Sequence, residues 1–255
     1  MRPPVAIHGG KSRQAAWIVR HLPPHTRFVE PFAGSAAVLF AKPRSRVELL
    51  NDADHAIMAF FEALRDQPTE LERVCALTPY SRAEYRRCQE GLDEPGITVV
   101  ERARRWFTVL SQGFGSIPAA GPGAWSSPGV WSEANKPARL QERFADCARR
   151  LSTVHFDCRP ASEIIARNDR DGTVLYCDPP YLGTTRSWAH LQPTHRDYRV
   201  ELSTEEEHDG LLKQLLDLKR ARVVISGRDC PLYAEMLCTW RVVVGKQRER
   251  LWLSP

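Results

Sequence analysis

The sequence predicts an α/β protein with a doubly wound, Rossmann-like sheet and an inserted, mainly helical segment. Three apolar runs carry this prediction, at residues 28–30, 47–51 and 174–177, because each ends in small or polar residues. Parallel strands of this kind bind ligands in the loops at their carboxyl ends. A chain of 255 residues with 42% hydrophobic content is long enough for one large α/β domain and a smaller insertion.

The first strand leads through Gly34, Ser35 and Ala36 into an apolar helix. Small residues let a ligand approach the backbone, and the amides that open a helix favour polar or anionic groups. The segment therefore predicts a nucleotide-type cradle, although the usual fingerprint of spaced glycines is absent.

The second strand ends in Asp52, which lies 18 positions after Gly34. A carboxylate about 20 residues beyond the cradle is what a doubly wound fold uses to hold ribose hydroxyls. The alternative is a helix N-cap, since Asp52 or Asp54 could cap a helix that begins near Ala56.

The third strand is followed by Asp178, Pro179, Pro180 and Tyr181. Each proline fixes its own φ and biases the preceding residue toward extended geometry, so the loop is stiff. It presents a carboxylate and an aromatic face at the edge where such sheets bind ligands. The alternative is a strand-end turn without chemistry.

Between the strands, helical patterns at 68–76, 82–90 and 98–112 precede a Gly-, Pro- and Ser-rich stretch at 113–128 and a further helix near Ala138. We therefore predict one α/β domain formed by residues 1–66 and 151–255, interrupted by a mainly helical insertion at 67–150.

The remaining chain continues the sheet. A polar stretch at 182–200 is too long for an ordinary connector. Ser203 and Glu206 then predict a capping box for a helix with an apolar leucine face, and strands are expected at 222–225, 240–244 and 250–253.

These motifs, in this order, resemble the Dam-like, alpha-group DNA adenine methyltransferases. The matching segments are Gly9-Gly10-Lys11, residues 30–34, residues 51–54 and residues 178–181, and the similarity continues through 223–227 and 251–253. The order of the motifs is the specific part, because in this group the Gly-Gly-Lys segment precedes the cofactor loop and the recognition segment separates the two catalytic halves.

The resemblance implies S-adenosylmethionine as methyl donor and no metal. It places Gly10 and Lys11 beside the donor's methionine carboxylate, Glu30 to Gly34 along the methionine and ribose, and Asp52 on the ribose hydroxyls. A further acid near the donor's adenine is expected at Asp157, although alignment of the following helix puts Pro160 in that position. The expected cofactor residues are His8, Gly10, Lys11, Glu30, Phe32, Gly34, Ser35, Asp52 and Asp157.

The implied chemistry is methylation of an adenine amino nitrogen, whose lone pair is delocalised into the ring. The Asp178 carboxylate and the Pro179 carbonyl are expected to accept its two hydrogens while Tyr181 stacks on the base, with Pro180 stiffening the loop. Asp178 is also a candidate acceptor for the released proton. The chain departs from the resembled pattern at Ala36, where a second glycine is often found, and at Arg228, where an aromatic residue is often found.

A target base inside a duplex has to be flipped out, so the insertion is expected to hold opened double-stranded DNA. The expected contacts are Arg102, Arg105, Phe114, Trp125, Arg139 and Arg186. For the helical arginines the alternative is a solvated surface, and for Trp125 it is packing onto the domain. His190 and His195 lack the ligand cluster of a metal site.

Composition agrees with this interpretation. The net charge is +5, and seven cysteines without a Cys-x-x-Cys pair are typical of reduced thiols in the cytoplasm. With no signal or membrane-spanning run, we expect a cytoplasmic protein that acts as a monomer. The function predicted is DNA adenine-N6 methylation. The alternatives are methylation of an RNA adenine or a cytosine amino group, and an inactive nucleic-acid-binding protein of the same fold.

Overall fold

The computed structural model describes residues 1–117, 124–126, 136–182, 199–200 and 202–255, apart from the side chains of Lys136 and Gln247. In its first part, α1 (Ala15–Val19), β1 (Arg27–Glu30), α2 (Ala37–Ala41), β2 (Val47–Asn51) and α3 (His55–Asp66) are followed by the helices α4 (Pro68–Ala76), α5 (Arg82–Glu90), α6 (Val99–Gln112), α7 (Lys136–Gln141) and α8 (Phe144–Leu151). The second part contains β3 (His155–Asp157), α9 (Ala161–Arg167), β4 (Thr173–Cys177), α10 (Glu205–Leu216), β5 (Arg222–Arg228), α11 (Pro231–Met236), β6 (Arg241–Val244) and β7 (Glu249–Leu253).

The strands form one mixed sheet in the order β3-β2-β1-β4-β5-β7-β6. The first five are parallel, and β7 lies antiparallel between β5 and β6. Strand order runs outward in one direction from β1 to β3 and in the other from β4 to β5. The boundary between the paired strands β1 and β4 is therefore the switch point at which a doubly wound sheet binds ligands. The predicted Rossmann-like fold class is confirmed.

Successive residues of the central strands face opposite sides of the sheet, as strand geometry requires. On β4, Val174 and Tyr176 join one apolar core, whereas Leu175 and Cys177 join another. Residues of α2, α3, α4, α6 and α8 belong to the first core, and residues of α9, α10 and α11 belong to or pack against the second. Because both faces are covered, β4 is buried at every position, which explains its continuous apolar sequence.

Aromatic rings join α3 to the helices that follow it. Phe60 of α3 stacks on Phe107 of α6, with centroids 6.1 Å apart and planes at 4°. It also meets Phe144 of α8 edge to face at 5.8 Å. The segment 67–150 is thus packed on α3 through a shared core, and its role as a separate recognition insertion stays a prediction.

The predicted helices at 68–76 and 82–90 are confirmed, and the helix predicted at 98–112 begins one residue later because Thr98 is its N-cap. The capping box before α10 was predicted one residue too early. Its members are Thr204 and Glu207, whose side chain reaches back to the Thr204 amide at 3.0 Å. All seven cysteines are free. Over the described residues, no helix has both the length and the apolar character needed to cross a bilayer.

Candidate active site

A cleft of about 520 Å³ opens at the carboxyl ends of β1, β2 and β4, within the size range of small-molecule sites. Three walls meet there: the N-terminal loop, the turn after β1 with the loop after β2, and the catalytic loop after β4. Expected site residues that line it are His8, Gly10, Lys11, Glu30, Phe32, Gly34, Ser35, Asp52, Asp178, Pro179, Pro180 and Tyr181. The fold therefore brings together residues that are up to 173 positions apart in sequence (181 − 8).

The turn after β1 leaves space beside the backbone. Gly34 has φ +47°, and a Cβ built there would meet no atom within 4 Å. Gly10 is the opposite case, because its Cβ would lie 2.9 Å from the Ile7 carbonyl oxygen, so only glycine fits. Ala36 caps α2 in the left-handed region, at φ 53° and ψ 32°. This conformation is the one that a glycine adopts at least cost, which accounts for the small residues of the turn.

Asp52 is tied to that turn. Its Oδ2 accepts a hydrogen bond from the Gly34 amide at 3.0 Å, and its Oδ1 accepts one from the Asp54 amide at 3.0 Å. Desolvation raises the pKa of Asp52 to about 6, against the hydrogen bonds from those amides. The capping role belongs to Asp54, whose Oδ1 accepts from the Ala56 amide at 2.9 Å. Asp52 therefore faces the cleft rather than the helix.

Asp178, in the loop after β4, is held through its Oδ1 atom by residues of two other segments. The Lys11 ammonium lies 2.7 Å from this oxygen, and the Ser226 hydroxyl donates to it at 2.9 Å. Ser226, fully buried on β5, also bonds the Tyr176 hydroxyl at 2.9 Å. The described pairs of Asp178 all fall on Oδ1.

Two buried carboxyl groups stand behind this loop. Burial raises the pKa of Glu30 well above its usual range, and the charge of Asp178 acts in the same direction. Glu30 lines the cleft, and its Oε2 atom has no hydrogen-bond partner among the described residues. Burial also raises the pKa of Glu249, which the Lys11 ammonium opposes. A neutral acid at Glu30 would offer a hydrogen-bond donor to a polar ligand.

Asp157 is not among the residues that line the cleft. Its Oδ1 accepts from the Cys158 amide and from Arg159 Nε, both at 2.9 Å. Pro160, the N-cap of α9, lines the cleft instead. A contact between Asp157 and the donor stays a prediction that this geometry does not favour.

The expected DNA-contact residues have different surroundings. Arg105 is paired with Glu94 at 2.6 Å and with Glu101 at 2.7 Å, and Arg102 donates to the Leu92 carbonyl at 2.7 Å. Trp125 is half-buried, with its ring 5.8 Å from that of Tyr80. Arg139 is exposed on α7, and Arg186 lies outside the described residues, as do His190 and His195. The DNA roles of all these residues stay predictions.

Phe114 has the most exposed aromatic ring of the expected contacts, with 71% of its surface accessible. It follows α6 in a tight turn with φ +69° at Gly115 and +54° at Ser116. The Ser116 carbonyl accepts from the His8 amide at 3.0 Å. This bond fixes the turn beside the N-terminal loop that lines the cleft.

Two residues near the cleft were not singled out from the sequence. Glu249 on β7 accepts a hydrogen bond from the Tyr181 hydroxyl, and Arg199 forms ion pairs with Asp54 at 3.0 Å and with Asp93 at 2.6 Å. A glutamate at the start of an edge hairpin carries no local signal, because its partner depends on strand register. Arg199 was visible only as one of several basic residues in a long polar stretch. Over the described residues, no group of three or more His, Cys, Asp or Glu side chains is arranged to hold a metal ion.

Comparison with known proteins agrees with this arrangement. The family model for D12 class N6 adenine-specific DNA methyltransferases matches residues 8–248. A DNA adenine methylase of Vibrio cholerae serotype O1 is 28% identical over 188 residues, which are 71% of this chain and 66% of that protein. The DNA adenine methylase of Escherichia coli K12 is 24% identical over 257 residues, covering 95% and 86%. Type II methyltransferase M1.LlaDCHI of Lactococcus lactis subsp. cremoris is 24% identical over 253 residues, covering 92% and 84%.

The chain thus spans just under two thirds of the Vibrio relative and most of the other two. The match covers the turn after β1 and the loop after β4, which both line the cleft. The descriptions of the family and of two of these relatives name adenine methylation of DNA as the activity of those proteins. The chain belongs to the D12 class N6 adenine-specific DNA methyltransferases.

Proposed function

We propose that this chain transfers the methyl group of S-adenosylmethionine to the N6 atom of an adenine flipped out of double-stranded DNA. The observation that carries the proposal is the position of Asp178 in the same cleft as Asp52 and Gly34. Asp178, the carboxylate proposed for the acceptor base, and Asp52, the carboxylate proposed for the donor's ribose, thereby line one continuous cleft.

The donor half of the cleft suits a nucleoside with a charged amino-acid tail. Asp52 would accept the ribose hydroxyls, and the open space beside Gly34 would admit the ligand against the backbone. Phe32 and Ser35 line this part of the cleft together with His8 and Gly10 of the N-terminal loop. When bound, the donor would supply a methyl group on a positively charged sulfur, which is a good leaving group.

Lys11 lines the cleft and also contacts Asp178. Its ammonium lies 2.7 Å from Asp178 Oδ1, and it also donates to the Gly9 carbonyl at 3.1 Å. Lys11 is 4% exposed, so this charge pair is shielded from solvent. We infer that Lys11 orients the catalytic carboxylate in addition to any contact with the donor.

The acceptor half suits a planar base that carries an amino group. Asp178 Oδ2 and the Pro179 carbonyl would accept the two amino hydrogens, which draws the nitrogen toward tetrahedral geometry and localises its lone pair. The nitrogen would then accept the methyl group that the donor supplies as its carbon–sulfur bond breaks, and Asp178 would take the proton that the nitrogen loses. Alignment and fixed charges can supply most of the acceleration, without a covalent enzyme intermediate.

DNA would lie across the rim on which Phe114 stands. An exposed ring fixed beside the cleft can fill the gap that a flipped base leaves in the stack, at a cost of unstacking on the order of a few kcal/mol. The exposed guanidinium of Arg139, and that of Arg186, are proposed to contact phosphate. We further propose that the enzyme acts in the cytoplasm as a monomer.

The direct test is transfer of labelled methyl from S-adenosylmethionine to unmethylated genomic DNA, to matched RNA and to no acceptor, followed by digestion to nucleosides. Label in methyladenosine of DNA is expected. Asp178→Asn is the matched variant, because it keeps the shape of the side chain but loses the carboxylate. It should lose transfer while retaining donor affinity by calorimetry.

Other results would redirect the proposal. Label in RNA or in cytosine would keep the mechanism and overturn the substrate. Folded protein that binds DNA but transfers no label to any acceptor would support the inactive binding protein instead.

A further inference from the structure

Glu249 is a buried carboxylate that contacts two residues of the cleft, Tyr181 and Lys11. It is the first residue of β7 and is 6% exposed. The hydroxyl of Tyr181 lies 2.8 Å from its Oε1 and 2.9 Å from its Oε2. The Lys11 ammonium is 3.8 Å from Oε1. Glu249 therefore contacts the catalytic loop although it is 68 residues away in sequence.

The fold fixes Glu249 in this position. The antiparallel register of β5 and β7 pairs Glu249 with Arg228, at the end of the strand that carries Ser226. On the other side, the Gly245 amide donates to the Glu249 carbonyl at 2.8 Å, and Arg248 takes a left-handed conformation with φ 63°. These pairings hold the backbone, and burial with the contacts to Tyr181 and Lys11 restrains the side chain.

A buried carboxylate at this position has a cost that packing alone does not justify. Removing a charged group from water is unfavourable unless hydrogen bonds and an opposite charge compensate it, and an apolar side chain would often be as stable. The compensation here comes from Tyr181 and Lys11, which are both parts of the candidate site. The Glu249 carboxylate is therefore stabilised by residues of the candidate site and not by the packing of the core.

Glu249 contacts Tyr181 at its hydroxyl, which is the end of the side chain farthest from the backbone. A tyrosine on a loop can shift its hydroxyl by several ångströms through rotation about its first side-chain bond. Two acceptor oxygens at 2.8 and 2.9 Å hold that end in place. The ring, which also has the Lys11 ammonium 4.7 Å from its centroid, is then held in place before a base arrives, so little ordering entropy is lost when the base stacks.

We propose that Glu249 is a positioning residue for the target base, which acts by holding the Tyr181 hydroxyl so that the ring can stack on a flipped purine. The inference rests on the proposed function for the identity of the base. It adds that the acceptor pocket is built partly by the C-terminal hairpin.

The test is a double-mutant cycle between Glu249→Ala and Tyr181→Phe, which removes the hydroxyl but keeps the ring. Two readouts are used: kcat/KM for DNA, and quenching of 2-aminopurine in a single-stranded oligonucleotide bound in the presence of S-adenosylhomocysteine. Glu249→Ala should lower kcat/KM for DNA by about 10- to 100-fold, and the affinity that quenching reports by the same factor. This is the expected effect of losing a hydrogen bond to a charged group. In the Tyr181→Phe background it should add less than about twofold.

Two controls separate positioning from general damage. Glu249→Gln keeps an acceptor oxygen for the hydroxyl, so it should stay within about threefold of the wild type. Asp229→Asn changes an exposed carboxylate that binds Arg250 of the same hairpin at 2.7 Å, and it should leave both readouts unchanged. Donor affinity should change little in any variant.

An equal effect of Glu249→Ala in both Tyr181 backgrounds would overturn the proposal, as would unchanged quenching. Because quenching needs no methyl transfer, it also distinguishes the two hypotheses. Tyr181-dependent quenching that is lost in Glu249→Ala, in a protein that transfers no methyl group, would support the positioning role and reject the proposed function.

Discussion

Asp52 and Gly34 are joined by a hydrogen bond of 3.0 Å that links the ends of two neighbouring strands. The bond runs from a backbone amide to a carboxylate oxygen and therefore sets the distance between the cofactor turn and the acid after β2. The donor side of the cleft is organised before a ligand binds.

We expect donor affinity to depend on the charge of Asp52. Its pKa is raised to about 6 by desolvation, so the carboxylate becomes protonated as the pH falls through 6, well before an ordinary aspartate would. Wild-type affinity for S-adenosylmethionine should then fall between pH 7 and 5. Asp52→Asn should bind more weakly at pH 7 and show a flat profile. Calorimetry across this range is the measurement.

Asp66→Asn, which changes an acid paired with Arg65 on α3, is the control and should retain the wild-type profile. A pH profile that is the same in Asp52→Asn and in the wild type would contradict this role of Asp52.

Ser226→Ala should slow methyl transfer more than it weakens donor binding. The substitution removes one of the two described donors to Asp178 Oδ1 and leaves the buried Tyr176 hydroxyl without its described partner. A hydrogen bond to a charged group contributes about 1.5–3 kcal/mol, so kcat should fall about 10- to 100-fold. Single-turnover kinetics with saturating donor would measure it.

Ser152→Ala provides the comparison, because Ser152 is exposed and bonds only a local carbonyl among the described groups. If Ser226→Ala instead raised the donor Kd with kcat unchanged, Ser226 would not act through Asp178.

Glu48 should be required for stability rather than for activity. It is 1% exposed and holds two buried cations, Lys42 at 2.6 Å and Arg150 at 2.8 Å. Removing one member of a buried ion network leaves uncompensated charge, which costs about 3–5 kcal/mol. Glu48→Ala should lower the free energy of unfolding by this amount in urea denaturation.

Glu70→Ala breaks an exposed pair with Arg73 and should leave the urea midpoint unchanged. Equal midpoints for Glu48→Ala and the wild type would show that the network contributes no stability.

Phe114→Ala should weaken DNA binding without affecting folding. The ring is 71% exposed, so its removal leaves no cavity in the core. Stacking of a base on an aromatic side chain contributes about 1–3 kcal/mol, which predicts a five- to 150-fold loss of affinity. Because the ring contacts no phosphate, the slope of affinity against salt should not change. Fluorescence anisotropy at several salt concentrations measures both quantities.

Leu77→Ala is matched in exposure, at 70%, and should bind DNA like the wild type. A reduced salt slope in Phe114→Ala would indicate that the turn acts on the backbone of the DNA and not on its bases.

Sequence reasoning succeeded where the signal is local. The turn at Gly34 and the loop at Asp178 are each encoded within a few residues, and strand order then places them in one cleft. It was less accurate where two neighbouring residues offer the same chemistry. Ser203 and Thr204 both precede a glutamate by three positions, and only the packing of α10 decides which of them is the cap.

Pairing between distant elements was beyond the sequence. Arg105 looks like any surface arginine until α6 brings it to Glu94, and Glu249 has no evident purpose until β7 aligns with β5. Such contacts depend on helix rotation and strand register, which short patterns do not specify.

The aromatic contacts of Phe60 with Phe107 and Phe144 bear on any exchange of sequence specificity between relatives. A graft that begins at residue 67 would place foreign helices on a ring that evolved with different partners. Grafts that also carry the inner face of α3 should fold, whereas those that omit it should not. The transferable unit of this fold therefore begins with α3 and not at residue 67.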